Sequence, residues 1–220
     1  MPSRAVKISQ NIFASLTLAA GLFTLFPVFG LDFERMQQSV MTRFGPGSIP
    51  VLREWQQLLN EDRNISEADK LRKANDFFNR RIIFGDDITI WGQSDYWATP
   101  LETMGHGRAD CEDFSIAKYY SLLEMGVPLA KLRLVYVKAH LNGTQQAHMV
   151  LAYYATPSSD PLVLDNLITD IRPASRRTDL SPIFSFNSAG LWQGTGNQSS
   201  KSNLSRWQDL LQRARAEGFL

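Results

Sequence analysis

Cysteine is almost absent from this chain: Cys111 is the only one in 220 residues, and histidine occurs three times, as His106, His140 and His148. A lone thiol closes no internal disulfide, so no cross-link of that kind stabilises the fold. One cysteine with three scattered histidines is not a closed zinc set either. An excess of one charge is also lacking. The 23 Lys and Arg against 22 Asp and Glu leave a formal charge of +1, with no basic cluster, which removes the warrant for a nucleic-acid partner. Neither an internal repeat nor an EF-hand loop is present. What remains is a chain with 44% hydrophobic and 20% charged residues, an ordinary globular composition, long enough for one domain with a real core.

The N-terminus departs from that average. Arg4 and Lys7 precede an uncharged apolar run from Ile12 to Phe29, and small residues follow at its end around Val28-Phe29-Gly30. This is the layout of a secretory signal. The run also stands at the lower edge of what spans a bilayer, so an uncleaved anchor is the rival reading. Under either one, residues 1–30 are a targeting segment and residues 31–220 form the domain, outside the cytoplasm.

Along that domain, helical spacing marks Phe33–Phe44, Val51–Asn60 and Glu67–Arg81, the last opened by Ser66. Ile82 to Ile90 is rich in β-branched residues, interrupted by Gly85-Asp86-Asp87, and Trp91 to Leu101 reads as an aromatic loop. A helix then runs from Cys111 toward Met125 and stops at Gly126-Val127-Pro128. The period next changes to two. Leu132–Ala139 and Ala147–Tyr154 read as strands joined by a hairpin at Asn142-Gly143, and Leu162–Leu167 as a third strand. Ile183-Phe184-Ser185-Phe186 and Leu191-Trp192 are later apolar signals, and a helix over Ser205–Glu217 closes the chain. Helices, then an antiparallel meander, then a closing helix make an α+β fold.

The chemistry gathers around Asp110-Cys111-Glu112-Asp113. Asp110 suits the N-cap and the next two acids suit the first turn, which puts the thiol at a helix N-terminus, where it ionises most easily. Thiol catalysis also needs an imidazole and a group to orient it. His148 lies in the second strand. Asp165 sits at the end of the apolar run Leu162-Val163-Leu164, where a carboxylate is costly without a partner. Neighbouring antiparallel strands would let these two meet on one face. The acids beside the thiol work against its ionisation. They are either caps turned to solvent or ligands of a hard divalent cation, and an all-oxygen set favours calcium over zinc or copper.

Four segments carry a resemblance: Asp95-Tyr96-Trp97-Ala98-Thr99-Pro100-Leu101-Glu102, the stretch from Asp110 to Tyr120, Ala147-His148-Met149-Val150-Leu151, and Leu164-Asp165-Asn166-Leu167. From Phe33 to Trp192 the chain resembles the bacterial transglutaminase-like cysteine proteinases. The resemblance implies a papain/transglutaminase-like fold, with the nucleophile's helix packed on an antiparallel sheet. It implies Cys111 as nucleophile, His148 as general base and then acid, and Asp165 as the orienting acid. It also implies a required calcium ion (Ca2+) held by Asp110, Glu112 and Asp113. Further implications are a periplasmic location and cleavage of a large surface adhesin near its N-terminus, at a paired-alanine site, in biofilm release. An inner-membrane receptor of the LapD type, which binds cyclic di-GMP in the cytoplasm, would sequester the enzyme. Transglutaminase or amidase chemistry on the same three residues, and a non-catalytic adaptor of the same fold, are the alternatives.

Overall fold

Local capping chemistry starts most of the helices. In the computed structural model, which describes residues 31–219 apart from 62–64, 142, 195, 197–198 and 201–203, Asp32 caps α1 (Phe33–Phe44) by accepting the Arg35 N–H at 3.0 Å. The targeting segment expected over residues 1–30 lies outside the described residues, as does Asn142. Helix α2 (Ile49–Glu61) follows, and Ser66 caps α3 (Glu67–Arg81) through the Asp69 N–H. Among the described residues, no helix is long and apolar enough to cross a membrane.

The stretch from Ile82 to Ile90 differs from its β-branched reading. Only Ile83–Phe84 is extended (β1), paired in parallel with Arg108–Ala109 (β2). Asp86 accepts the Thr89 N–H at 3.0 Å and starts a helical turn, α4 (Asp87–Trp91), which Gly92 ends in the left-handed region at φ 68°. A side-chain cap here overrides β propensity. The aromatic loop holds from Gly92 to Thr99, and its last residues, Pro100 and Leu101, open a helix that the loop reading did not include, α5 (Pro100–His106). Thr99 and Glu102 form a reciprocal capping box, and proline occupies the first turn.

Helix α6 (Cys111–Glu124) runs through the centre, buried from Asp113 to Leu122. Its apolar residues touch protein all round, because α3 and α5 cover one side and the sheet the other. The sheet has seven strands in the order β6-β5-β4-β3-β7-β8-β9. These are β3 (Leu132–Leu141), β4 (Thr144–Tyr153), β5 (Leu162–Leu164), β6 (Arg172–Pro173), β7 (Leu180–Asn187), β8 (Gly190–Gln193) and β9 (Ser199–Ser200), with every pairing antiparallel. Leu132, Leu134, Met149, Leu151 and Leu164 belong to the main core on the helix side. Val135, Val137, Val150, Ala152 and Val163 form a smaller cluster on the opposite face. The sheet is thus covered on both faces and the strands alternate between two apolar layers.

Two polar ties fix the helices around α6. Trp55 of α2 is fully buried and donates its ring N–H to Ser121 Oγ of α6 at 2.7 Å. The closing helix α7 (Ser205–Ala216) sends Arg213 onto Glu102 at 2.6 Å and onto the Trp97 carbonyl at 2.6 Å. That contact holds the segment leading into α5.

Candidate active site

Cys111 occupies the first position of α6, with Asp110 as N-cap accepting the Asp113 N–H at 3.3 Å. One turn on, Ser115 donates to the Met149 carbonyl of β4 at 3.0 Å, fastening the helix beside His148. Cys111 and His148 both line a cleft of about 740 Å³, whose walls include Asp87, Trp97, Tyr136 and Phe184. Trp97 also packs, stacked on Phe186 with 5.5 Å between ring centroids, so it serves core and cleft together.

His148 and Asp165 meet as neighbouring strands allow. The β4–β5 ladder pairs Leu151 with Leu164, and one residue further on the Asp165 side chain reaches back to the His148 ring. His148 Nε2 lies 2.8 Å from Asp165 Oδ1, both side chains almost wholly buried. Burial pushes the Asp165 carboxyl up. The hydrogen bond and charge of His148, the Leu167 N–H and the Arg177 guanidinium outweigh it and hold the group well below the usual carboxylate range. An ionised Asp165 accepts, so Nε2 carries the proton and Nδ1 is left as the basic nitrogen. The other two histidines are elsewhere. His106 ends α5 between Trp91 and Phe44, and His140 is exposed near the end of β3.

The acids around the thiol arrange themselves differently from their order in sequence. Carboxylate oxygens of Asp87, Asp110 and Glu112 all lie within 4.8 Å of one another. Asp113 is not in that trio: it is fully buried, and its Oδ1 accepts the Ala98 N–H at 2.7 Å. Asp87, which in the sequence is only part of an interruption in a β-branched run, joins Asp110 and Glu112 in place of Asp113. Its signal was the Asp86-Asp87 doublet, in which the first acid caps α4 and frees the second for the cleft. Burial raises the Asp87 carboxyl to about 6 despite the Tyr96 N–H, and the charge of Glu112 adds to the rise. Burial, reinforced by Asp113, Glu112 and Asp87, takes Asp110 to about 10. Asp113 is likewise pushed well up, by burial first.

The thiol shares this environment. Cys111 donates to Glu112 Oε2 at 2.8 Å. Burial, then the charge of Glu112 and its hydrogen bond, push the thiol far above its usual range. Asp87 Oδ1 and Asp113 Oδ2 are buried without a hydrogen-bond partner among the described residues. Packed acids with unsatisfied oxygens and hard donors only are a good fit to a divalent cation of the calcium type.

Among the solved structures that resemble this fold are three of Legionella pneumophila LapG. One aligns at 34% identity and a TM-score of 0.72 over 84% of this chain and 98% of that one. The calcium-bound form aligns at 36% identity and 0.72, over 82% and 98%. The EGTA-treated form gives 34% and 0.73, over 84% and 98%. Calcium binding therefore occurs within this group of proteins. No curated protein matches the sequence at a significant level. Residues 55–185 match the model of the bacterial transglutaminase-like cysteine proteinases, BTLCP. That span includes α6, β4 and β5, and with it the cleft cysteine, the buried His–Asp pair and the acid trio: the chain belongs to the bacterial transglutaminase-like cysteine proteinase family.

Proposed function

We propose that this protein is a calcium-dependent periplasmic endopeptidase with Cys111, His148 and Asp165 as its catalytic triad. The observation that carries the reading is the buried 2.8 Å contact between His148 and Asp165 in the cleft that also holds the only cysteine. His148 Nδ1 takes the thiol proton, and Cys111 Sγ attacks the scissile carbonyl carbon. The N–H of Cys111, in the first turn of α6 and so without an intrahelical acceptor, donates to the developing oxyanion. The imidazolium passes its proton to the leaving amine, leaving a thioester. His148 then draws a proton from water, whose oxygen attacks the thioester carbonyl; the acid product leaves and the thiol is restored.

Asp87, Asp110 and Glu112 would hold the calcium ion, with Asp113 and its unpartnered oxygen behind them. When bound, the ion supplies positive charge that balances the acids and makes a thiolate tolerable at Cys111. The substrate we assign is the N-terminal region of a large cell-surface adhesin, whose cleavage releases it and promotes biofilm dispersal. An inner-membrane receptor of the LapD type, responding to cyclic di-GMP, is the proposed inhibitor. This reading rests on the family and on the likeness to LapG.

The test is digestion of an adhesin N-terminal fragment by the parent enzyme and by Cys111→Ala, with calcium or with excess chelator, and with an added primary amine. One cut by the parent in calcium, and none by Cys111→Ala or in chelator, is expected. Undiminished cleavage in chelator would remove calcium from the account. Amine-linked product in place of hydrolysis would assign the same residues to a transglutaminase.

A further inference from the structure

We propose that Arg177 is a positioning residue for the reaction: its buried guanidinium fixes the Asp165 carboxylate in the one orientation that locks the His148 ring with Nδ1 free. The proposal rests on the triad reading above. Asp165 is gripped at both ends. Its main-chain carbonyl accepts from Asn79 Nδ2 at 2.9 Å and from Lys118 Nζ at 3.0 Å. Lys118 lies two turns beyond Cys111 on α6, so this grip ties the nucleophile's helix to the Asp165 backbone. Neither bond fixes the rotation of the carboxylate. That falls to three others: His148 Nε2 and the Leu167 N–H at 3.1 Å on Oδ1, and Arg177 Nη2 at 2.7 Å on Oδ2.

Arg177 follows a short 3₁₀ turn, Ala174–Arg176, and its side chain is 1% exposed. Its remaining bonds go to Asp179, at 2.8 Å from Nη2 and 3.0 Å from Nε. Nη1 has no hydrogen-bond partner among the described residues. A fully buried cation with a donor left over is a poor device for stability alone. It suits holding an anion ionised and still. Without it, Oδ2 would be a buried oxygen lacking a donor, and the carboxyl would rotate or take up a proton. Either change loosens the ring, and the Nδ1–H tautomer that forms cannot accept the thiol proton. Arg177 is not part of the cleft wall, so substrate binding does not depend on it.

The experiment compares the calcium-loaded parent with Arg177→Met, Arg177→Lys and Asp165→Asn, using adhesin-fragment kinetics and nitrogen NMR of the His148 ring. For Arg177→Met, kcat falls roughly tenfold or more with KM held within about twofold. The ring signals change from the Nε2–H form to a mixture of tautomers. Arg177→Lys, with one ammonium in place of the fork, falls between the two. A kcat for Arg177→Met within about twofold of the parent, or a loss carried by KM, would overturn the proposal. Should Arg177→Met not fold, Arg177→Lys decides it: a kcat lowered more than about twofold at constant KM supports the role, and an unchanged kcat removes it. Full activity in Asp165→Asn would instead mean that the triad reading itself had failed.

Discussion

Glu112 has two claims on its carboxylate. It accepts the Cys111 thiol at 2.8 Å, and it belongs to the acid trio with Asp87 and Asp110. A cation held at the trio would compete with the thiol for that group. Asp87 is the member most easily tested, since it lies outside the Cys111 helix and its second oxygen is already satisfied by the Tyr96 N–H. Asp87→Asn weakens calcium binding about tenfold or more by calorimetry, because one charged ligand is lost from a hard-cation site. Unchanged affinity would place the ion elsewhere. The sequence made Asp110 and Glu112 readable because they flank the sole cysteine. Asp87 reaches them only through the β1–β2 pairing and the short α4, and the Asp86 cap that starts α4 does not show which residues that turn will meet. Arg177 was silent for the same reason: its partner Asp165 stands across a turn and a two-residue strand.

Among the elements, α6 and the β3–β4 hairpin were legible because their signals are local. Asp110 caps the helix as its side chain allows, and strand alternation carries the pairing of Leu132 with Tyr153 through to that of Leu141 with Thr144. The turn signal's Asn142 itself falls outside the described residues. Helices α4 and α5 were not legible. Each is a turn or two long, fixed by a cap and by packing more than by periodicity. The packing of α5 is unusually close at Gly105. A Cβ there would come within 2.1–2.5 Å of the Phe44 ring of α1. Replacing glycine by alanine favours an isolated helix by about 1 kcal/mol. Overpacking against a ring costs about 1–3 kcal/mol. We expect the second effect to win, so Gly105→Ala unfolds at lower urea than the parent with the same slope. Equal or greater stability would show that α1 shifts freely.

At the scale of the whole molecule, the α+β reading holds because helix period and strand period occupy separate stretches of the chain. His148 and Asp165 could be paired from sequence since the meander sets their segments side by side, although the third strand ends at Leu164, short of the expected Leu167, and Asp165 follows it. The fold brings the acids Asp87, Asp110 and Glu112 and the start of the Cys111 helix to the same cleft, where we propose that cation and thiol are coupled. With the ion held, Glu112 would be drawn off the thiol and the added positive charge would favour the thiolate. The most direct measurement is the rate of Cys111 alkylation by iodoacetamide at neutral pH, in calcium and in excess chelator. Alkylation about tenfold or more faster in calcium is the predicted result, one pKa unit being tenfold in thiolate. Equal rates in the two conditions would contradict the coupling.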